Sequence, residues 1–453
     1  MESGQPGQLI AIVSARSDGA TSLALGLAAV MGARHRTVLV DLNRDNAEIA
    51  TFLNADESKT VYHLAYNAQL AAITEIELRQ HLQWHDGFAL LPGITDPRQA
   101  AKVEHDLVEL LVVAVSAVLV GADTFVEIEL WARERLDWLR RYLKLVHGIP
   151  SHDTFGRLFG LIDATEFEAS FRRWVRSILP ALGTDVVAID GKTSRRSGGV
   201  DTTALHLVSA FAAGAGLVLG QQATAEKSNE KTAIPQLLST LALAGCTVTI
   251  DAMGTQANIA QAIQDRGADY VLAVKDNQPK LAESIHDFWT SFRSNPVEHT
   301  PHCFAESVEK DHGRLETRRC YVFDQIACLH RPEQWPELKS FAVLESERVF
   351  QGKTTIEQRF YISSLKADAA RLSHAVRAHW SIENRLHWSM DVSFNDDQMR
   401  ARTGHAAHNL AVLKHITLNL IRLDPVKRKG GIKARRLIAA TSDAYRAQLL
   451  GLG

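Results

Sequence analysis

Apolar positions along this chain change rhythm four times. Short continuous runs come first: Leu9–Val13, a helix-period stretch from Leu23 to Met31, then Thr37–Val40 ending in Asp41. Strand, small-residue loop, helix and strand make a βαβ pattern. The composition shifts around Pro92-Gly93 and Asp96-Pro97-Arg98, which places a domain boundary near residue 95. From Lys102 to about Leu179 the spacing is helical. This stretch includes a Leu/Val-rich helix over 107–121, an amphipathic helix carrying Trp131, Trp138, Arg140 and Arg141, and a helix after Pro150 capped by Ser151. Thr154 and Arg157 share a face of that last helix, which suits either a DNA-reading element or the polar side of a small bundle.

From Val186 the rhythm turns to strands. Apolar runs at 186–190, 205–211 and 216–221 precede a helix over Thr232–Ala244, a strand over 247–251, a helix over Gln256–Arg266 and a strand over Tyr270–Val274. The order β-β-β-α-β-α-β, with a late helix at about 368–390, matches a ribonuclease-H-like α/β architecture. Roughly 90 residues separate Lys275 from that helix, too many for a structureless loop. Runs at Cys320–Phe323, Ser340–Leu344 and Arg359–Ile362 predict a β-rich insertion over about 281–366. The predicted parts are therefore an α/β segment over 1–95, a helical domain over 96–179, a catalytic domain over 180–425 and a basic tail over 426–453.

Three acidic residues interrupt this pattern. Asp190 ends Val186–Ile189, Asp251 ends Thr247–Ile250, and Glu383 lies in the late helix on the face of Val376 and Trp380. Carboxylates at the ends of buried strands are costly unless a cation meets them. Hard oxygen donors suit Mg²⁺ or Mn²⁺, and a divalent pair can drive in-line phosphodiester displacement. At helical spacing 383, 387 and 391 share a face, so Asp391 rivals Glu383 as third ligand. Asp396 and Asp397 read as solvated loop residues, and Trp380 and Trp388 as core. His379 and His387 are available as ligands, or as packed or DNA-facing residues.

Composition narrows the class without deciding it. With 46% hydrophobic and 23% charged residues and a net charge of −2, the chain is globular and needs local basic clusters to hold DNA. Lys192, Arg195 and Arg196 follow the first Asp, and Lys275 and Asn277 follow a strand. The tail adds Lys427, Arg428, Lys429, Lys433, Arg435 and Arg436. Such clusters suit a phosphate backbone. Four scattered Cys suggest a reducing compartment and no structural zinc. The longest apolar run, Leu110–Ala122, is shorter than the roughly 20 residues a bilayer requires. A cytoplasmic protein with no membrane partner is expected.

Several motifs in order resemble a known family. Ala188–Thr193, Glu226–Glu230, Thr249–Gly254, Tyr270–Pro279, His312–Arg318, Tyr361–Leu365 and His379–Phe394 are similar to insertion-sequence DDE transposases of the ISAs subgroup, or H-repeat-associated proteins. The resemblance runs from about Asp96 to the C-terminus. It implies a helical associated domain, a ribonuclease-H-like core with a β insertion, and an acidic triad at Asp190, Asp251 and Glu383 holding Mg²⁺ or Mn²⁺. It further implies DNA as substrate, strand cleavage followed by strand transfer, and a homodimer in the active complex. His379 and Asn384 of the late helix join Lys192, Arg195, Arg196, Lys275 and Asn277 as expected DNA contacts. In the wider superfamily a Tyr-Arg-Glu-Lys signature would place Tyr at Val376, Arg at His379 and Lys at Met390, so only its glutamate is kept.

The first 95 residues resemble instead the start of a ParA/MinD-type pilus-assembly ATPase. A working P-loop needs a lysine where Ala20 stands, so no nucleotide cofactor is expected. An in-frame fusion of a mobile element with a host ATPase gene accounts for both halves. The alternatives are an inactive DNA-binding remnant and a regulatory P-loop-like protein with an inert appendage.

Overall fold

The structure, a computed structural model, describes residues 94–452 apart from 100–102, 180–181, 200–202, 225–229, 295–299, 312–313 and 427–429. The ATPase-like reading of the N-terminal segment lies outside these residues, as do Lys427, Arg428 and Lys429. Residues from Ile94 onward form a compact unit.

Its N-terminal part is helical: α1 (Leu107–Leu119), α2 (Phe125–Glu134), the short α3 (Leu136–Leu139), α4 (His152–Leu161) and α5 (Ala164–Ile178). The starts are set by local capping chemistry. Asp106 accepts from Glu109 N, Thr124 and Glu127 cap each other reciprocally, and Asp163 accepts from Thr165 N and Glu166 N. Ser151 occupies the N-cap of α4, but its hydroxyl meets Thr154 Oγ1 at 3.4 Å rather than a backbone N–H. Arg157 donates to that same threonine at 3.3 Å.

The strands are β1 (Val186–Thr193), β2 (His206–Ala212), β3 (Leu217–Thr224), β4 (Thr247–Ile250), β5 (Asp269–Val274), β6 (Cys303–Asp311), β7 (Arg314–Phe323), β8 (Ser340–Phe350) and β9 (Lys353–Ser363). They form one mixed sheet in the order β3-β2-β1-β4-β5-β9-β8-β7-β6. β1 to β3 are an antiparallel meander, while β1, β4 and β5 run parallel. Helices α6 (Glu230–Ser239) and α7 (Ala257–Gln264) make the two crossovers. The strands read into the insertion make no separate sheet. β9 pairs antiparallel with β5, Leu272 opposite Ile362, so four strands extend the same sheet. Helix α8 (Pro279–Ser294) covers them with an aromatic cluster in which Trp289 meets Tyr321 and Phe292 meets Phe323.

The sheet divides the remaining helices between its faces. Helix α9 (Ala369–Ser381) buries Leu372, Ala375 and Val376 against Val186, Val271, Cys320 and Leu344. On the opposite face α6 meets β2 and β3, and Ile234 approaches Ile250 at Gly254. Beyond α9 follow a π-helical turn (Ile382–His387) and α10 (Trp388–Ser393). Helix α11 (Ala406–Arg422) then runs through the centre, touching α1, α4, α5 and β3. It is buried almost all round, as a core helix must be. Its Asn419 closes a two-way amide bridge to Val218, donating and accepting at 2.9 Å.

The C-terminal segment corrects one expectation. Beyond the undescribed stretch it forms α12 (Ile432–Thr441) and α13 (Asp443–Leu449), and its arginines turn inward. Arg436 is 4% exposed and donates to Val118 O, to Asp123 and to Ser393 O, over the ring of Phe394. Arg446 is fully buried against Trp138. These guanidiniums satisfy helix-end carbonyls, and each also meets an aspartate, Arg436 pairing with Asp123 and Arg446 with Asp443. Among the described residues no helix is long and apolar enough to cross a membrane.

Candidate active site

Asp190 and Asp251 are placed together by strand register. Ile189 and Ile250 are partners across the parallel β1–β4 pair, so the next residue on each chain emerges at the same sheet end. Period-two alternation puts Asp190 and Asp251 on the face shared by Val186, Thr247 and Thr249, the face that α9 covers. Asp190 accepts the N–H of Gly191 at 2.9 Å. Asp251 caps the single 3₁₀ turn that follows, accepting from Gly254 N.

Glu383 enters from above, in the π-helical turn. There the N–H of Trp388 bonds the carbonyl of Glu383, five residues back. This widened turn corrects the i, i+4 reading of 383, 387 and 391, because α-helical spacing does not persist through it. Trp380, on α9 before this turn, and Trp388, just after it, are 37% and 59% exposed, against the expectation of core positions for both. Trp380 instead carries the guanidinium of Arg359 at 4.8 Å.

Electrostatics tie the three carboxyls to one another. Burial pushes Asp190 up to about 7, and the charges of Asp251, Glu383 and Glu230 push in the same direction. Glu383 is also raised, by partial burial and by Asp251, with Arg359 opposing. Among the described residues no three His, Cys, Asp or Glu side chains are gathered closely enough, as they stand, to hold one ion. The donor chemistry still fits a hard divalent cation: three carboxylates that repel one another at one sheet end lose that repulsion when such a charge is shared.

The residues around the trio are mostly engaged with the protein. Lys192 Nζ lies 2.6 Å from Asp391 and 3.4 Å from Asp397, and Arg195 reaches Asp397 at 3.5 Å. Asp391, the rival third ligand, is thus neutralised by a lysine. Asp396 is 3% exposed rather than solvated. It accepts from Ser194 Oγ at 2.6 Å and from the buried Lys414 at 3.1 Å. Burial alone would raise the Asp396 carboxyl, but Lys414 and Ser194 hold it below its ordinary range. His387 Nδ1 stands 3.5 Å from Asp190 Oδ2, and burial lowers its pKa to about 4.

Of the expected DNA contacts, Arg195, Arg196, Lys275 and Asn384 are exposed. Two others face inward. His379 sits between α9 and β4 with Nδ1 3.1 Å from Thr249 Oγ1, and burial lowers its pKa to about 4. Asn277 donates its amide to Ala252 O and Thr255 O, fixing the turn after Asp251. Two arginines that sequence reading passed over clamp the π-turn. Arg385 donates to Ala213 O at 2.7 Å, Arg422 donates to Gly216 O at 2.7 Å and to Arg385 O, and both lie over Phe211. Nothing in their local spacing marks them, because their partners belong to the distant β2–β3 turn.

Comparison with known proteins places the chain in a family. Residues 154–420 match the family described as "Transposase DDE domain", and residues 88–175 match the one described as "DDE_Tnp_1-associated". "Putative transposase YncI" of Escherichia coli O157:H7 is 41% identical over 368 residues, covering 79% of this chain and 92% of that protein. The "H repeat-associated putative transposase YhhI" of Escherichia coli K12 is 38% identical over 371 residues, covering 79% and 95%. "Inactive transposase YbfQ" of the same strain matches a shorter stretch, 41% over 63 residues and 14% of this chain, with 75% of that protein covered. The chain belongs to the DDE transposase family. A solved piggyBac transposase synaptic complex with hairpin DNA superposes over 78% of this chain and 75% of that one at a TM-score of 0.39 and 10% identity.

Proposed function

We propose that this protein is a DDE transposase that cleaves DNA and transfers the freed strand, with Asp190, Asp251 and Glu383 holding Mg²⁺ or Mn²⁺. The observation that carries the reading is the common end of β1 and β4. It delivers two aspartates side by side, and their charges, with that of Glu383, raise the Asp190 carboxyl. The meander β3-β2-β1 continuing into parallel β4 and β5 supports a ribonuclease-H-like core.

Divalent ions bound there would polarise the phosphodiester and stabilise the attacking and departing oxygens. The chain's own part is placement. β1 and β4 fix two carboxylates by register, and Arg385 and Arg422 hold the turn that carries the third. Arg195, Arg196, Lys275 and Asn384, all exposed, are proposed to meet the DNA backbone. Two DNA ends must be brought together, so the active complex is proposed to be a homodimer, acting in the cytoplasm.

The test is Mg²⁺-dependent cleavage of DNA carrying candidate element ends. Asp190→Ala, Asp251→Ala and Glu383→Ala should each abolish cleavage while Asp391→Ala retains it. Loss with Asp391→Ala and retention with Glu383→Ala would reassign the third ligand. Cleavage that survives Asp190→Ala would remove the reading altogether.

A further inference from the structure

Behind Asp190, on the other face of the sheet, lies a buried polar chain that the proposed reaction does not use. Thr193 and His206 are register partners on β1 and β2. Thr193 Oγ1 is 2.7 Å from His206 Nδ1, and His206 Nε2 is 2.7 Å from Glu230 Oε1. His206 is 2% and Glu230 3% exposed. Glu230 opens α6, the crossover helix packed on β2 and β3.

The chain meets β1 at two points, through the Thr193 hydroxyl and against the backbone of Gly191. A Cβ on that residue would lie 2.2 Å from Glu230 Oε1 and 2.7 Å from His206 Nε2. The missing side chain is therefore what lets a carboxylate press on the backbone directly after Asp190. Buried polar groups are retained when they are hydrogen-bonded, and both ring nitrogens of His206 have a partner, one of them Glu230 Oε1.

We propose that Glu230 is a positioning residue for the metal site: through His206 and Thr193 it fixes β1 at Gly191, and so fixes where the Asp190 carboxylate points. This rests on the reading of Asp190 as a metal ligand. Groups behind first ligands orient them, and their loss lowers metal affinity even when every ligand remains.

The test is calorimetric Mn²⁺ titration of the full chain at pH 8, at a temperature where each variant is shown by circular dichroism to be folded. Glu230→Ala and Gly191→Ala should weaken Mn²⁺ by about 10–100-fold, whereas Glu230→Gln, which keeps an oxygen for His206, should stay within about threefold of the parent. Thr193→Val breaks the far end of the chain without stranding a carboxylate, so it serves if Glu230→Ala fails to fold. It should weaken Mn²⁺ by about tenfold. Parental affinity in Glu230→Ala or Thr193→Val overturns the inference, and so does a Glu230→Gln loss as large as that of Glu230→Ala. Asp190→Ala separates the two claims. If it binds Mn²⁺ like the parent, the metal-site reading falls and this inference with it. If Asp190→Ala abolishes binding and Glu230→Ala does not, only the positioning role is lost.

Discussion

The ammonium of Lys192 lies 2.6 Å from the carboxylate of Asp391. Lys192 is two residues past Asp190 on β1, and Asp391 is on α10, so the pair pins the helix after the π-turn to β1. It also occupies the carboxylate that competes with Glu383. Asp391→Asn should therefore leave Mn²⁺ affinity within about threefold of the parent, while Glu383→Gln should cost about 10–100-fold. Calorimetric titration of the two variants decides between them, and the reverse ranking would make Asp391 the ligand.

Asp190 gives the site a pH dependence. Its carboxyl, raised to about 7, must lose its proton before it can bind a cation. Mn²⁺ affinity at pH 6 should be about tenfold below that at pH 8. The same shift affects the metal-free fold. Between pH 3.8 and 7 the folded state holds a proton that the unfolded chain releases, so this contribution is full at low pH and disappears as pH rises through 7. Asp190→Asn should raise metal-free stability at pH 8 by about 1–2 kcal/mol. A flat Mn²⁺ affinity between pH 6 and 8, or a less stable Asn variant in denaturant melts, would count against this account.

Lys414 and Asp396 are a buried ion pair whose members are useless apart. Asp396→Ala leaves an ammonium with 1% of its side chain exposed and without its ion-pair partner. It should cost about 3–5 kcal/mol in urea unfolding. Lys414→Met with Asp396→Ala should recover much of that loss, giving a coupling of about 1–3 kcal/mol in the double cycle. Additive losses would show that the pair acts independently.

Exposed and inward-facing polar residues near the site should separate cleanly in DNA binding. Arg195→Ala, Arg196→Ala and Lys275→Ala should each weaken binding to unrelated DNA sequences alike and lower the salt slope by about one. His379→Ala and Asn277→Ala should lower the melting temperature and leave that slope unchanged. Fluorescence anisotropy over a salt series reads both, and an unaltered slope in Lys275→Ala would remove it from the DNA surface.

Much of this arrangement is legible along the chain because it is written in local signals. Apolar runs bounded by polar loops mark β1 to β5, and an acidic residue at the end of a buried run is conspicuous at Asp190 and Asp251. The runs at 320–323, 340–344 and 359–362 all fall within strands. Their joining of the central sheet is not visible, because pairing of β9 with β5 depends on partners far apart in sequence. The π-turn is hidden for another reason: periodicity arguments assume 3.6 residues per turn, and the shift at Ile382–His387 breaks that assumption where it matters most. Asp396 looked like a loop residue because its counter-ion, Lys414, comes from the next helix. Arg436 looked like surface charge because Asp123 lies at the other end of the unit.

The attachment of β9 to β5 has a temporal meaning. The two aspartates emerge early from the ribosome, but the strand that carries the chain back to them, the turn bearing Glu383, and the anchors Lys414 and Arg436 all follow. The acidic trio is therefore assembled only after the chain has been made past Glu383, and its anchors only past Arg436. A product terminated before residue 383 would hold both aspartates yet lack the third carboxyl.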